Sequence, residues 1–400
     1  CQHHVGLCSG HWPLIGWSWR MKLPAGFTGA GLAAGIKKSG AKDLALIVNN
    51  GPVKFGTAVF TSNQVVAAPV MWSREVIRDH EVSAVILNSG GANACTGPAG
   101  FADTHRTAEE IAQSLAINAS DVVVCSTGLI GERLPMNELL TGATLAVSQL
   151  NTDSLRDLAE AIMTTDSRPK ISHLHGDCEF AGIAKGAGML APALATMLSV
   201  IMTDAEVDPV DAVEIFQDVT DRTFNRIDSD GCTSTNDTVL FMASGASGKK
   251  ISREVLTQSL MTVCGDLAHQ LIADAEGHSK IISITTVNAK SEKDAVEIGR
   301  ACARNNLLKC ALHGEDPNWG RILAALGTTS AVFDPLTIDV SLNGVMVCRA
   351  SAPGEPRESV NMKAETIEIL IDLHAGTKSA TIWTNDLTAA YVHENSAYSS

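Results

Sequence analysis

One threonine in this sequence stands where it could act as a nucleophile. The dipeptide Ala195-Thr196 lies between a glycine-rich approach containing Gly186 and Gly188 and a nearly continuous apolar run at residues 197–202. If the Thr196 hydroxyl attacks the Ala195 carbonyl, the backbone shifts to an ester, and water then releases two pieces. The new α-amine of Thr196, with an ordinary pKa of about 7.7–8.0, is a suitable base for its own hydroxyl. On these residues alone, a loop entering a buried strand is the simpler interpretation.

Two further segments place small hydroxyl residues and glycine just beyond a predicted strand. VILNSGG ends at Gly91, and VVVCSTG ends at Gly128. Backbone amides exposed at such ends can stabilise the oxyanion of an acyl transfer, where one donor contributes about 2.7–4 kcal/mol. Without other information, a plain strand-to-helix turn is the simpler interpretation of either segment.

Other catalytic and cofactor motifs are missing from the sequence. It contains no GxSxG elbow, no Walker A loop and no HExxH helix. Two GxGxxA matches, starting at Gly29 and Gly186, lack the strand, helix and acidic residue that dinucleotide binding requires. His173 and His175 could share one side of a strand as metal ligands do, but the segment HLHGD is typical of an exposed loop. We therefore predict no metal site.

The charge and composition exclude several classes of partner. A net charge of -14 and a pI near 5.3 argue against nucleic acid and against an anionic membrane surface. No apolar run approaches the roughly 18 residues of a membrane-spanning helix. The ten cysteines are scattered and form no CxxC pair, which favours a reducing compartment over a disulfide framework. We expect a cytoplasmic protein.

The elements that must position these residues alternate along the chain. Before Thr196, strands are predicted at residues 44–48, 82–87 and 122–125, and helices at residues 98–115, 136–150 and 155–163. After Thr196, strands are predicted at residues 197–202, 281–287, 338–342, 367–373 and 381–384, and helices at residues 209–224, 253–275, 292–307 and 319–326. This alternation predicts an α/β protein of one or two domains.

The motifs together resemble the ornithine acetyltransferases, the glutamate N-acetyltransferase family of arginine biosynthesis. The resemblance is carried by VILNSGGANACTGPAG, CSTGLIGERLPM, IMTTD, KGAGMLAP, ALATML with the following TDA, DGCTSTNDT, ADAEGHSK, DPNWGRI and ENSAYSS. These motifs follow the family's order from about Leu23 to the last residue. The resemblance implies a self-processing DmpA/ornithine-acetyltransferase-like fold, an α/β architecture with layered sheets flanked by helices and built from two chain fragments.

The same resemblance implies autocatalytic cleavage between Ala195 and Thr196. Residues 21–195 would form an α chain, and residues 196–400 a β chain that begins with the nucleophile. Residues 1–20 differ abruptly in composition and precede the family motifs, so we expect a non-native or disordered extension outside the fold. The family's usual assembly is a heterotetramer of two α and two β fragments.

The resemblance also assigns roles to individual residues. Thr127 and Gly128 would form the oxyanion hole beside the nucleophile Thr196. The residues implied to bind substrate are Thr164, Lys185, Thr196, Glu276, Asn395 and Ser400. The implied reaction moves an acetyl group from N2-acetyl-L-ornithine to L-glutamate without a metal or organic cofactor, and it leaves open acetyl-CoA as an additional co-substrate.

Two residues in this set also stand out from their surroundings. Lys185 lies in a glycine-rich apolar segment where exposure is not expected, and Glu276 follows a long helical pattern whose dipole disfavours an acid.

Two rival functions stay open. One is an amidohydrolase or aminopeptidase in which water resolves the acyl-enzyme, and the other is an unprocessed amino-acid-binding or regulatory protein.

Overall fold

The computed structural model of the protein describes residues 22–191 and 197–397. Ala195, Thr196, Ser400 and the predicted extension at residues 1–20 therefore lie outside the described residues. The strands are β1 (Phe27–Leu32), β2 (Leu44–Asn49), β3 (Phe55–Phe60), β4 (Ala84–Asn88), β5 (Val122–Ser126), β6 (Lys170–Leu174), β7 (Phe180–Lys185), β8 (Leu198–Thr203), β9 (Thr238–Ala243), β10 (Ile281–Ala289), β11 (Asp339–Leu342), β12 (Val345–Arg349), β13 (Ala352–Pro353), β14 (Thr366–Asp372) and β15 (Lys378–Asn385). The α-helices are α1 (Ala68–Val76), α2 (Gly97–Leu115), α3 (Met136–Ser148), α4 (Leu155–Ala161), α5 (Pro209–Arg222), α6 (Arg253–Ile272), α7 (Glu292–Ala303), α8 (Asn306–His313), α9 (Trp319–Leu326) and α10 (Ala389–Ala397).

The first sheet has the strand order β1-β2-β4-β5. Its strands are apolar on both faces, because one face packs under helices α2 and α3 and the other packs against a second sheet. In β2, for example, Leu44 and Leu46 face the helices, whereas Ala45 and Ile47 face the second sheet. Strands β4 and β5 run parallel, so their carboxyl ends lie side by side.

The second sheet has the order β3-β9-β8-β7-β6, and its outer face is covered by α5 and α6. Together the two sheets and their helices form four layers, helix-sheet-sheet-helix. Strands β3, β6 and β7 precede Thr196 in the chain, whereas β8 and β9 follow it. The second sheet is therefore built from strands on both sides of the predicted cleavage point.

A third sheet, with the order β13-β12-β11-β14-β10-β15, has a hydrophobic core of its own with helices α7, α8 and α9. Its last strand leads into helix α10, which carries Asn395. This sheet thereby brings the end of the chain back to the layered part of the molecule.

The predicted α/β fold with layered sheets flanked by helices is confirmed. The helix predicted at residues 292–307 is wrong as a single element. It ends at Ala303, and the Asn305 side chain accepts a hydrogen bond from the Leu308 N–H at 2.9 Å and caps a second helix. The predicted loop at HLHGD is also partly wrong, because His173 lies in strand β6.

None of the described helices is long and apolar enough to cross a membrane. All eight cysteines in the described part of the chain carry free thiols, and Cys125, Cys264 and Cys302 are buried in the cores. Burial raises the pKa of the Cys125 thiol to about 12, so this group packs as a neutral apolar side chain.

Candidate active site

The six predicted site residues that fall within the described ranges all line one pocket. They are Thr127, Gly128, Thr164, Lys185, Glu276 and Asn395, and Thr165, Gly188 and Met189 complete the wall. Thr196 and Ser400 lie outside the described residues. The six come from distant parts of the chain, so the tertiary fold brings them together.

Thr127 and Gly128 lie directly beyond strand β5, where β4 and β5 end together. The Thr127 N–H donates to the Asn88 carbonyl oxygen at 2.9 Å, and the Gly91 N–H donates to the Thr127 carbonyl oxygen at 3.0 Å. Gly128 has a φ of 131°, and a Cβ at this position would lie 2.7 Å from the Gly91 nitrogen. Only glycine satisfies both the dihedral angle and this close approach.

The loops at this edge are held by a buried amide. The Asn236 Nδ2 donates to the Ala92 carbonyl oxygen at 2.6 Å and to the Ser126 carbonyl oxygen at 2.9 Å. Asn236 belongs to the segment before strand β9, so it ties the second sheet to the ends of β4 and β5. The position of Thr127 is thereby set by hydrogen bonds from both sheets.

Lys185 is the last residue of β7, and only 1% of its surface is exposed. Its Nζ donates to the Oγ1 of Thr127 at 3.4 Å. Burial lowers the pKa of Lys185, and the nearby carboxylates of Asp166, Asp237 and Glu276 oppose that shift. The pocket therefore contains a desolvated amine that interacts with acidic side chains and with a hydroxyl.

Asp166 organises the backbone around this amine. Its Oδ1 accepts hydrogen bonds from the Lys170 Nζ and the Gly186 N–H, both at 2.6 Å, and its Oδ2 accepts from the Thr164 N–H at 2.9 Å. Burial alone would raise the pKa of Asp166, but the charges of Lys185 and Lys170 outweigh it and hold that pKa at about 2. Asp166 is therefore ionised at neutral pH.

Lys170 connects this carboxylate to the end of helix α6. Its side chain is fully buried, and its Nζ also lies 2.6 Å from the Oδ2 of Asp274. Asp274 stands two residues before Glu276. The Asp166–Lys170–Asp274 network thus positions the segment that carries Glu276, and no sequence pattern indicates a pairing across 104 residues.

Glu276 reaches the pocket from a loop rather than from the helix itself, since α6 ends at Ile272. Its N–H donates to the Ala187 carbonyl oxygen at 3.0 Å, and its Oε1 accepts from the Thr165 hydroxyl at 2.7 Å. A Cβ on Gly188 would lie within 2.8 Å of this carboxylate, so glycine at 188 leaves room for it.

Helix α10 packs against the same loop and positions Asn395. Gly277 has a φ of 59°, and a Cβ there would lie 2.3 Å from the Tyr391 nitrogen of the helix. The Thr388 hydroxyl also donates to the Gly277 carbonyl oxygen. The helix is therefore docked closely enough to place Asn395 on the pocket wall.

A larger cavity of about 720 Å³ adjoins the pocket and shares Thr165 and Glu276 with it. Its wall also carries Asp274 and Glu394, with Arg168 as a nearby cation. Together the two spaces offer the amine of Lys185 and the carboxylates of Glu276, Asp274 and Glu394. That distribution is complementary to a molecule with an α-carboxylate and amine groups.

Asp237 is a buried carboxyl that the sequence analysis did not single out, although it lies within the motif DGCTSTNDT. Its Oδ1 accepts a hydrogen bond from the Met197 N–H at 2.9 Å. Met197 is bonded directly to Thr196, so this contact anchors the residue that follows the predicted nucleophile. Burial raises the pKa of Asp237 well above its usual value despite that hydrogen bond and the Lys185 charge.

Asp166 is a second residue that the sequence analysis missed. It ends the motif IMTTD, so a signal was present, but the motif does not indicate that its carboxylate faces Lys170 and Lys185. That relation depends on the pairing of β6 with β7, which sets Lys170 opposite Ala184.

The chain matches a known family over nearly its whole length. The model of the ArgJ family matches residues 28–400. The chain belongs to the ArgJ family. This confirms the family that the sequence motifs predicted. It also confirms the predicted general function, which is that of an arginine biosynthesis enzyme.

Individual ArgJ relatives are similar along most of the chain. The arginine biosynthesis bifunctional protein ArgJ of Streptomyces avermitilis is 57% identical over 376 residues, which cover 94% of this chain and 98% of that protein. The protein of the same name from Thermobifida fusca is 55% identical over 377 residues, with the same coverage of 94% and 98%. The crystal structure of ornithine acetyltransferase complexed with ornithine from Mycobacterium tuberculosis is 53% identical, covers 44% of this chain and 94% of its own, and has a TM-score of 0.42.

Proposed function

We propose that this chain transfers the acetyl group of N2-acetyl-L-ornithine to L-glutamate through an acetyl-threonine intermediate at Thr196. The observation that carries the proposal is the pocket that unites Thr127 and Gly128 with the opposite charges of Lys185 and Glu276. Membership of the ArgJ family, with relatives named for arginine biosynthesis, supports this choice of substrates.

The first step is autocatalytic cleavage between Ala195 and Thr196. The Thr196 Oγ attacks the Ala195 carbonyl carbon, the C–N bond breaks, and the acyl group moves from nitrogen to oxygen. Water then hydrolyses the ester, which leaves a carboxylate on Ala195 and a free α-amine on Thr196. Two hydrogen bonds hold the backbone just after the reacting bond. The Met197 N–H donates to Asp237, and the Met197 carbonyl oxygen accepts from the Thr238 N–H at 3.2 Å.

Cleavage would divide the protein into a first fragment that contains the α chain of residues 21–195 and a second fragment that is the β chain of residues 196–400. The two would stay together, because β8 pairs with β7 on one side and with β9 on the other, and β9 in turn pairs with β3. Separation would expose the shared apolar core and break these ladders. We propose a heterotetramer of two such pairs as the assembled enzyme.

The second step is acetyl transfer to the enzyme. The Thr196 α-amine takes the proton of its own hydroxyl, and the Oγ attacks the acetyl carbonyl carbon of N-acetylornithine. The Thr127 hydroxyl and the Gly128 N–H stabilise the developing oxyanion. The tetrahedral intermediate then collapses: the C–N bond breaks, the proton passes to the departing amine, and ornithine leaves.

Glutamate completes the cycle in the same pocket. Its amine attacks the acetyl-threonine ester, the C–O bond breaks, and the proton returns to the Thr196 oxygen, which gives N-acetylglutamate and free enzyme. A single site suffices because both substrates are amino acids. Their α-carboxylate would pair with Lys185, and amine groups would face Glu276, while Thr164, Asn395 and Ser400 supply further polar contacts.

A second donor is part of the proposal. The curated relatives carry the name bifunctional, and this supports acetyl-CoA as an alternative source of the acetyl group for glutamate.

The reaction as written uses only side chains and the α-amine of Thr196, so we propose no metal or organic cofactor for it. The free thiols of the described residues support a location in the reducing cytoplasm.

Intact mass under denaturing conditions, measured for the wild type and for Thr196→Ala, tests the first step. We expect two fragments from the wild type, the second beginning at Thr196, and one uncut chain from the variant. A wild type that stays whole would overturn the mechanism and favour an amino-acid-binding or regulatory protein.

Acetyl transfer from N-acetylornithine, followed with and without glutamate, tests the second step. We expect N-acetylglutamate to form with glutamate, and only a stoichiometric burst of ornithine to form without it. Release of acetate at an unchanged rate in the absence of glutamate would identify a hydrolase instead. Addition of labelled acetyl-CoA and glutamate to the same enzyme then reports directly on the second donor.

A further inference from the structure

A cluster outside the pocket gathers two imidazoles and a carboxylate at the β6–β7 hairpin. His173 lies in β6, His175 follows that strand, and Glu179 directly precedes β7. The two imidazole rings lie 4.0 Å apart between centroids. Among the described residues, this is the one group of three potential metal ligands whose donor atoms all lie within 4.8 Å of one another.

The donor atoms converge on a common space. The Nε2 of His173 lies 2.8 Å from the Oε2 of Glu179, and the Nδ1 of His175 lies 2.9 Å from the same oxygen. A tetrahedral zinc ion with bonds of about 2.0–2.2 Å holds its ligand atoms roughly 3.3 Å apart. Small side-chain rotations would therefore open this triangle to the spacing that such an ion requires.

The hairpin holds these side chains in place. His173 pairs with Ala181 across β6 and β7. The Glu179 N–H donates to the Oδ1 of Asp204 at 2.8 Å, and its carbonyl oxygen accepts from the Thr203 hydroxyl at 2.9 Å. The backbone of the carboxylate ligand is thus anchored to the end of β8, independently of the two histidines.

We propose that His173, His175 and Glu179 bind one divalent transition-metal ion of the zinc class, with an open fourth position for water. Two imidazole nitrogens and one carboxylate are a donor set that Zn²⁺ accepts readily, whereas Mg²⁺ and Ca²⁺ prefer oxygen ligands throughout. The partial exposure of the cluster, 17% for His173 and 67% for His175, gives an ion direct access from solvent.

The cluster could instead be explained as a carboxylate paired with two protonated histidines. In that arrangement both charged rings would lie within 3 Å of the same carboxylate oxygen, the Oε2 of Glu179, and 4.0 Å from each other between centroids. Two cations held this close repel each other, and one carboxylate carries a single charge to compensate them. Two neutral imidazoles and one carboxylate can instead share a single ion, so the geometry favours the metal-binding interpretation over the ion pair.

Occupation of this site would cross-link the hairpin that leads to Lys185. An ion that binds the folded chain and not the unfolded one stabilises the fold by an amount that grows with its concentration. We therefore expect Zn²⁺ to raise the melting temperature, and we expect that rise to depend on these three side chains.

Calorimetric titration of Zn²⁺ into the chelator-treated full chain tests the proposal, with His173→Asn, His175→Asn and Glu179→Gln as variants. His374→Asn is a matched control, because His374 also contacts carboxylates, Asp339 at 2.9 Å and Asp372 at 3.5 Å, but has no second histidine. We expect each cluster variant to lose one site, with affinity reduced by more than about 100-fold, since even changes to the outer shell cost roughly 10–100-fold. The control should retain that site.

Residues of the first twenty, including His3, His4, His11, Cys1 and Cys8, could bind Zn²⁺ by themselves. They are present in every variant, so the difference between wild type and variant isolates the hairpin. Equal stoichiometry and affinity in wild type and cluster variants would overturn the proposal, as would an equal Zn²⁺-induced rise in melting temperature. Because His175 is largely exposed, His175→Asn should fold even if His173→Asn does not.

Discussion

The Nζ of Lys185 lies 3.4 Å from the Oγ1 of Thr127, so a buried amine on the second sheet contacts a hydroxyl at the end of the first. A protonated lysine can only donate, whereas a threonine hydroxyl can accept and donate at once. Since Thr127 accepts from Lys185, its own proton is free to point elsewhere. In the proposed reaction that proton faces the oxyanion, while the same lysine faces the carboxylate of the substrate.

The first prediction concerns the Thr127 hydroxyl. Thr127→Val keeps the shape of the side chain and removes the donor, so we expect kcat for acetyl transfer to fall by about 100- to 1,000-fold. Thr127→Ser keeps the hydroxyl and should retain most of the rate. Intact mass must accompany the kinetics, because an uncleaved chain would be inactive for a different reason. A fully cleaved Thr127→Val enzyme with unchanged kcat would exclude this hydroxyl from the oxyanion hole.

The second prediction separates backbone strain from close approach at Gly128. Gly128 has a φ of 131° and faces the Gly91 backbone, whereas Gly131 has a φ of 88° and a Cβ there would meet nothing within 4 Å. Both alanine variants therefore bear a strain of about 1–3 kcal/mol, but only Gly128→Ala also displaces the turn. We expect Gly131→Ala to lower the melting temperature modestly and to keep activity.

Gly128→Ala should lose more stability and most of its kcat, because its backbone N–H moves together with the turn. Thermal melts and steady-state kinetics on the two variants check this. Similar activities in the two variants would show that the position of the Gly128 amide is not critical to the reaction.

The third prediction concerns Asp166, whose pKa is held at about 2. When folding lowers the pKa of a carboxyl, the ionised group stabilises the folded state at any pH above its ordinary pKa. This stabilisation is lost as the pH falls from the ordinary pKa to the pKa in the folded state. Asp166→Asn should therefore melt well below the wild type at pH 7, by a margin that shrinks between about pH 4 and pH 2. Melting temperatures across this range test it, and a constant margin would contradict the assigned pKa.

The fourth prediction has the opposite sign and concerns Asp237. Burial raises its pKa in the folded state, so the unfolded chain ionises first as the pH rises, and stability is lost above about pH 4. Asp237→Asn is neutral at every pH and can still accept from the Met197 N–H. Relative to this variant, the wild type should lose melting temperature as the pH rises from about 4 towards neutrality. If the melting temperature of the wild type instead rises relative to that of the variant over this range, Asp237 is ionised in the folded protein.

Many elements could be predicted because their signal is local. Strands β2, β4 and β5 are continuous apolar runs, so their place in the core could be inferred from composition alone. Strand β1 could not be predicted in this way, because its sequence FTGAGL is rich in glycine. The reason for its glycines is tertiary, since a Cβ on Gly31 would lie 2.1 Å from the Asp157 carbonyl oxygen.

The family, the α/β alternation and the residues implied to act could all be inferred from the amino-acid sequence, because motifs and hydrophobic periodicity are local features of a chain. The fold was needed to show that Thr127, Lys185 and Glu276 share one pocket, and that Asp166 and Asp237 have opposite pKa shifts. A pKa or a contact depends on which groups surround an atom once the sheets have packed. Strand register and layer packing set those neighbours, and neither can be read from a single segment.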